Sequence, residues 1–138
     1  KQGPVLTLNN PSDQIKRGQY LVEGPGHCGE CHTPRNLLGG PKFGQWLAGA
    51  VNPEGEGVIQ NITTGEGGIA DWSESQLASM LKDGFTPEFD SVGGSMTAVV
   101  ANWSHVSDED RAAVAAYLKA VPAHANGYPV LTKPAANQ

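Results

Sequence analysis

The two cysteines of the chain lie three residues apart in the stretch HCGECHTPRN, residues 27–36, and a histidine directly follows the second. Three kinds of site could use Cys28, Cys31 and His32: a thiol redox pair, a zinc site, or covalent attachment of a c-type haem. A thioredoxin-like redox pair lies beside a βαβ unit. No alternating strand pattern surrounds this motif, so a redox pair is disfavoured.

A zinc site is the second possibility, and it needs four protein ligands when it is structural. Besides the two cysteines and His32, the chain could supply only a histidine at position 27, 105 or 124. None of these has the paired spacing that is usual for zinc ligands. The zinc interpretation is therefore weak.

Covalent haem attachment is the third possibility, and it uses every residue of the motif. On one helical turn Cys28 and Cys31 are at i and i+3, so both thiols can face one porphyrin edge and add to its two vinyl groups. His32, at i+4 from Cys28, then points at the iron. We predict one covalently bound haem c.

A haem iron bound by one histidine can take a sixth ligand, and Met80 and Met96 are the only sulfur candidates. Met80 follows Leu77 at i+3 on an apolar helical stripe, where methionine usually fills the core. Met96 lies in DSVGGSMTAVV, a glycine-bearing loop outside any helix pattern. We predict Met96 as the ligand; Met80, a histidine such as His105, or an open site are the alternatives.

Composition indicates one domain over residues 1–138, with a core at about 12–122 and an extension at each end. The formal charge of -5 disfavours nucleic acid and anionic membranes and leaves a basic protein partner open. The longest apolar run, residues 112–118, is far shorter than a transmembrane helix. Because the chain begins at Lys1, it is expected to be either a processed mature protein or an excised piece.

Three helices are predicted to position the motif. The first covers 12–23 with Ser12 as N-cap; the second opens with a capping box at Ser73 and ends at Gly84; the third opens at Ser107. The third helix presents an apolar face and stops at Pro122. That face comprises Val114, Tyr117, Leu118 and Val121.

Two features of these elements need an explanation. Gly18 inside the first helix is either tolerated or marks a close crossing by another helix. Residues 36–70 hold nine glycines and read as loop, which in a compact domain calls for something other than a protein core to organise it. Residues 1–10 and 123–138 read as peripheral extensions.

The order of these features resembles the class I c-type cytochromes over residues 12–122. It is similar in particular to the small haem domains that accept electrons from periplasmic dehydrogenases, through CHTPRN and through Asn61-Ile62-Thr63 followed by Trp72. The resemblance implies an all-α fold of three or more helices wrapped around one haem. It also implies that the first and last helices cross with Gly18 and Tyr20 against Tyr117.

The same resemblance implies roles for single residues. Cys28 and Cys31 would be the thioether anchors, His32 the proximal iron ligand and Met96 the distal ligand. Trp72 takes the place of a tryptophan that hydrogen-bonds a haem propionate, although packing against the helix that follows is an equal alternative.

Three further positions complete the implied site. Arg35 and Trp46 are weaker propionate candidates. A proline carbonyl that accepts the His32 ring N–H would belong to Pro34 or Pro41.

The function expected from these features is one-electron transfer. An iron with both axial positions filled leaves no place for substrate, and methionine ligation raises the potential relative to two histidines. We therefore expect a periplasmic carrier between a dehydrogenase donor and a terminal oxidase or other cytochrome acceptor, and not an enzyme. The acids at 108–110 read as the start of a helix. A haem domain of a larger multihaem oxidoreductase subunit and a haem-based gas sensor are the alternatives.

Overall fold

The structure, a computed structural model, describes residues 3–53 and 57–128. Within these residues the chain forms five α-helices, one short 3-10 turn and a two-stranded antiparallel sheet. The helices are α1 (Asp13–Glu23), α2 (Cys28–His32), α3 (Glu74–Asp83), α4 (Met96–Trp103) and α5 (Asp108–Ala120), the 3-10 turn is Phe43–Gln45, and the strands are β1 (Ala50–Val51) and β2 (Val58–Ile59). The prediction of a helical fold with a loop-rich middle is confirmed apart from this small sheet.

Local sequence signals explain where the three predicted helices begin. Ser12, Ser73 and Ser107 each accept a hydrogen bond on the side-chain oxygen from the backbone N–H three residues later. The Gln76 side-chain oxygen accepts a hydrogen bond from the N–H of Ser73 at 2.9 Å, which completes the capping box. Gly84 ends α3 with a φ of 79°, a left-handed conformation that glycine adopts at little cost.

The crossing of α1 and α5 resolves the question raised by Gly18. A Cβ built at Gly18 would overlap the carbonyl oxygen of Ala113 and lie 2.8 Å from the Cβ of Tyr117. The glycine therefore marks a close helix crossing. The predicted place of Tyr20 in that crossing is wrong, since its side chain is 59% exposed and stacks with Arg17, whose Cζ lies 5.3 Å from the ring centroid.

Substituting Gly18 tests this crossing. We expect Gly18→Ala to lower the free energy of unfolding by about 1–3 kcal/mol, because the added methyl must push two helix backbones apart. Gly44→Ala is the matched control, since a Cβ there meets nothing within 4 Å. Denaturant unfolding of both variants measures the difference, and equal midpoints would contradict the close crossing.

The position of Met96 corrects the sequence prediction, because Met96 is the first residue of α4 and does not lie in a loop outside any helix. Its N-cap, Ser95, makes no side-chain capping hydrogen bond. The helix is held by tertiary contacts: it packs on α3, and the buried Arg111 guanidinium donates to the carbonyl of Trp103 at 2.8 Å. Arg111 also bonds the carbonyl of Val106.

The buried core lies between α1, α3 and α5, and the middle of the chain adds large side chains to it. No described helix combines the length and the apolar character that a membrane span needs. The core residues that position the site are Leu21, Val22, Trp46, Leu47, Ile69, Leu77, Leu81, Trp103, Val114, Tyr117 and Leu118.

The segment after α5 corrects a second prediction. Residues 123–128, called the C-terminal strap below, pack across the middle of the chain and are not peripheral: the N–H of His124 donates to Thr63 Oγ1 at 3.1 Å, and that of Gly127 donates to the Ala48 carbonyl at 2.8 Å. At the other end, the N–H of Val5 donates to Glu23 at 2.7 Å. Residues 1–2 and 129–138 of the predicted extensions lie outside the described residues.

Candidate functional site

The motif residues Cys28, Cys31 and His32 all lie on α2, a short helix that follows α1 after a tight turn. The N–H of Gly26 in this turn donates to the Leu21 carbonyl at 2.7 Å. The turn holds α2 against the end of α1, so all three residues lie on one short helix at the base of α1.

The two thiols of α2 have different surroundings, and they are not joined in a disulfide. Cys28 is half-buried, and burial raises the pKa of its thiol to about 11. Cys31 is exposed. A reactive redox cysteine is a low-pKa thiolate, so the environment of Cys28 is the opposite of that needed for thiol redox catalysis.

His32 is buried, with only 9% of its surface exposed, and its Nδ1 lies 2.6 Å from the carbonyl oxygen of Gln60. Burial lowers the pKa of His32, so the ring is neutral near pH 7. A carbonyl only accepts, so Nδ1 carries the proton and donates it. The lone pair of Nε2 is then available to bind a metal.

The partner of His32 was not predicted from the sequence, which indicated the carbonyl of Pro34 or Pro41. Neither proline is the partner: the Pro34 carbonyl accepts from the N–H of Lys42 at 2.8 Å, and Pro41 pairs with Arg35 in an isolated bridge. Gln60 directly follows β2, which pairs with β1, and the residue just before β1, Gly49, donates its N–H to the His32 carbonyl at 2.6 Å. A backbone carbonyl carries no signal in its side chain, so only the fold identifies it.

The zinc interpretation gains no support from the described residues. No three histidine, cysteine, aspartate or glutamate side chains among them are grouped so that they could hold a metal ion. His27 and His105 are exposed, and His124 lies in the C-terminal strap.

Trp46 packs directly on α2. A Cβ at Gly29 would overlap the Trp46 ring, so the glycine between the two cysteines makes room for the indole. The Trp46 N–H donates to the Tyr117 hydroxyl at 3.0 Å, and that hydroxyl donates to Glu23 at 2.7 Å. Burial, aided by the bond to Glu23, raises the pKa of Tyr117. The Trp46 N–H, predicted as a propionate donor, thus already has a protein acceptor.

Trp72 is half-buried and packs against the core just before α3. Its carbonyl accepts from the Lys119 ammonium at 2.7 Å, which holds this segment on α5. Its indole N–H has no hydrogen-bond acceptor among the described residues. The packing alternative is thus present in the structure, and the indole N–H is still available to a bound group.

Arg35, the third predicted propionate donor, is exposed and bonds two backbone carbonyls. One guanidinium nitrogen donates to Gly39 at 2.7 Å and another to Glu30 at 3.0 Å. These bonds tie the loop at residues 35–41 to the end of α2.

The two methionines differ in their packing. Met80 packs against the buried core from α3, as its place on an apolar stripe predicts. Met96, in the first turn of α4, is half-buried and lies outside that core cluster. The Met80 side chain is therefore part of the core packing, whereas the Met96 side chain is not.

An apolar cleft of about 300 Å³ opens between α4 and the turn that joins α1 to α2. Its position is next to a motif cysteine, because a Cβ at Gly26 would lie 3.1 Å from the Trp103 ring and 3.5 Å from the Cys28 sulfur. The side of the cleft that α4 forms was not predicted from the sequence, although Val99 and Trp103 are four residues apart and so share a helix face. The lining residues are Leu21, Pro25, Gly26, Val99, Asn102, Trp103 and Val106.

A covalently bound haem needs a nitrogen ligand for its iron and a thiol beside apolar surface. A neutral, buried imidazole with a free Nε2 suits an iron ligand, and a half-buried cysteine beside an apolar cleft suits a thioether to a flat apolar group. The residues present fit the group.

Comparisons with known proteins agree with this chemistry. A family model described as cytochrome c matches residues 15–122. The chain is 59% identical over 108 residues to a protein of Cereibacter sphaeroides named "Diheme cytochrome c-type", covering 78% of this chain and 36% of that protein. It is 40% identical over 123 residues to the fructose dehydrogenase cytochrome subunit of Gluconobacter japonicus, covering 88% of this chain and 25% of that subunit.

A third relative is the cytochrome c subunit of the quinone alcohol dehydrogenase of Gluconobacter oxydans, 34% identical over 141 residues, with 91% of this chain and 27% of that subunit covered. The chain therefore spans about a quarter to a third of the length of these three relatives.

Proposed function

The chain belongs to the cytochrome c family, and we propose that it is a one-electron carrier that holds a single haem c on Cys28, Cys31 and His32. Membership of this family makes it an electron-transfer protein and not a catalytic enzyme. The observation that carries the proposal is the buried His32 ring, whose Nδ1 lies 2.6 Å from the Gln60 carbonyl. When bound, the haem supplies an iron that gains or loses one electron.

His32 has two tasks in this proposal. Its Nε2 binds the iron, and its Nδ1–H donates to Gln60, which fixes the tautomer and the orientation of the ring. Because the ring is buried and neutral, it can bind without first losing a proton.

Met96 is proposed as the second iron ligand. Its support is the contrast in packing: Met80 is engaged by the core, whereas Met96 lies outside that cluster at the start of α4. With His32 and Met96 as its two protein ligands, the iron would have no position left for a substrate, and the chemistry it would supply is one-electron transfer.

Trp72 is the propionate donor that the surroundings support best, because its indole N–H has no acceptor among the described residues. Trp46 and Arg35 are weaker proposals, since their donors already bond the Tyr117 hydroxyl and backbone carbonyls, respectively.

The partners are proposed from the relatives, which are named as cytochrome subunits of fructose and alcohol dehydrogenases. We propose that a periplasmic dehydrogenase donates electrons to this chain and that a terminal oxidase or another cytochrome accepts them. A periplasmic location is part of this proposal, because c-type haem is generally attached to bacterial proteins after export.

A second candidate is that the chain is one haem domain of a larger multihaem subunit. The observation that favours it is length, because the chain spans about a third of a relative named as diheme and about a quarter of a dehydrogenase cytochrome subunit. Further Cys-x-x-Cys-His motifs in the flanking gene sequence would support this candidate.

Extraction with acid acetone tests the proposed attachment. We expect the colour to stay with the precipitated protein, because two thioether bonds do not break in this solvent. Colour that passes entirely into the solvent would contradict covalent attachment. A ferrous spectrum that changes readily under carbon monoxide would instead indicate an open iron position and favour a gas sensor.

A further inference from the structure

The C-terminal strap lies against the residues that directly follow Gln60. Asn61 and Thr63 are both fully buried. The side-chain amide of Asn61 donates to the His124 carbonyl and to Asn126 Oδ1, each at 3.0 Å. The Thr63 hydroxyl accepts from the N–H of His124 at 3.1 Å.

Asn61 and Thr63 are also bonded to each other. The Asn61 side-chain oxygen accepts from the N–H of Thr63 at 2.9 Å and from its hydroxyl at 2.8 Å. The Thr63 hydroxyl further accepts from the N–H of Gly65 at 3.1 Å. A buried polar network whose members are all bonded is rigid, and breaking one bond leaves a buried group unpaired.

The strap reaches the surroundings of His32 by a second route. The N–H of Gly127 donates to the Ala48 carbonyl at 2.8 Å, and the N–H of Gly49 donates to the carbonyl of His32 at 2.6 Å. The strap therefore holds both chain segments that hydrogen-bond His32, one at its ring and one at its backbone.

We propose that the C-terminal strap, acting through Asn61 and Thr63, positions the Gln60 carbonyl against the His32 ring and so sets the reduction potential of the bound haem. Asn61 and Thr63 are positioning residues, since they act through Gln60 and do not touch the cofactor ligand. The inference rests on the proposed function, because it concerns a haem bound by His32.

The direction of the effect follows from the chemistry of imidazole. A carbonyl that accepts the Nδ1–H makes the ring a stronger electron donor, which favours the ferric state. Loosening the Gln60 carbonyl weakens that donation, so the reduction potential rises.

Thr63→Val and Thr63→Ser form a matched pair for testing this. Valine keeps the shape of threonine and removes the hydroxyl, whereas serine keeps the hydroxyl and removes the methyl. We expect Thr63→Val to shift the equilibrium about tenfold toward the ferrous form, about 59 mV for a one-electron couple. The His32 Nδ1 proton should also exchange faster with solvent, measured by NMR. Thr63→Ser should keep both values near those of the wild type.

Asn126→Ala is a second variant, on the strap itself, in case Thr63→Val does not fold. It removes one acceptor of the Asn61 amide without adding charge. An upward shift in the reduction potential of Asn126→Ala supports the proposal. Asn9→Ala is the control, because Asn9 is exposed. Wild-type potential in both Thr63→Val and Asn126→Ala overturns it, as does an equal shift in Thr63→Val and Thr63→Ser.

These outcomes are separate from a failure of the proposed function. If the wild-type protein carries no covalent haem, or its low-spin spectrum does not depend on His32, the function fails before any potential is compared. If the wild type carries the haem and the variants leave its potential unchanged, only the role of the strap fails.

Discussion

Replacing His32 by glycine is expected to abolish the low-spin haem spectrum in both redox states. The substitution removes the proximal nitrogen. It also leaves the Gln60 carbonyl, which lies 2.6 Å from Nδ1 in the wild type, without its hydrogen-bond donor. Added imidazole should restore the spectrum, because it can enter the vacated space, bind the iron through one nitrogen and donate its N–H to Gln60. Absorption spectra recorded during an imidazole titration measure the rescue.

N-Methylimidazole provides a sharper comparison within the same variant. It can bind iron through one nitrogen but has no N–H to donate to Gln60. We expect it to bind about 10–100-fold more weakly than imidazole, the usual effect of losing the hydrogen bond behind a metal-binding histidine. Equal affinities would show that the Gln60 bond adds nothing to ligation.

His105→Gly is the control for His32→Gly, since His105 is exposed and lies on the turn before α5. It should leave the spectrum unchanged. If His32→Gly also kept the wild-type spectrum, His32 would not be the proximal ligand.

The helices that sequence reasoning located are those with local signals at their ends. Ser12, Ser73 and Ser107 cap α1, α3 and α5 through contacts within four residues, so these caps can be recognised from the sequence alone. The crossing at Gly18 could be suspected from the sequence, because a glycine in a helix interior costs stability unless something requires it.

Helix α4 shows why other elements escape such reasoning. Ser95 makes no side-chain capping hydrogen bond, so α4 lacks the N-terminal signal that marks α1, α3 and α5. The helix depends on α3 and on Arg111, which lies 15 positions after Met96 in the chain. Tertiary contacts of this kind leave no local pattern.

The environment of His32 was harder still to predict. The motif itself identified the ring, but the Gln60 carbonyl is separated from it by 28 positions and belongs to the backbone. The strap that fixes Gln60 is joined to it through Asn61, across 63 positions to His124. Asn61 was noted only for its resemblance to a motif, and the structure supplies the physical reason for asparagine there: both ends of its amide are bonded in a buried site.

The hydrogen bonds around Trp46 give this residue a structural role that single-residue reasoning did not predict. Trp46 is a weaker propionate candidate by sequence resemblance; in the structure its ring packs on Gly29 and its N–H donates to the Tyr117 hydroxyl. Glu23 completes the chain of hydrogen bonds. Trp46 therefore links α2 to α1 and α5, which positions the motif helix within the core.

Replacing Met96 by histidine is expected to keep a low-spin haem while lowering its reduction potential by on the order of a few tenths of a volt, part of the ≈ 0.8 V range that axial ligands set. Methionine is a soft ligand that favours ferrous iron, and a second imidazole removes that preference. Spectroelectrochemical titration of the purified variant measures the change.

Met80→Leu is the matched control, because Met80 packs against the core and leucine has a similar volume. It should cost less than about 1.5 kcal/mol of stability and leave the potential at the wild-type value. The two methionines thus differ in the expected effect on the potential, because the core holds the Met80 side chain and the Met96 side chain lies outside that core. A lower reduction potential in a variant of Met80, together with a wild-type potential in Met96→His, would reverse the ligand assignment. The second iron ligand would then come from α3 and not from α4.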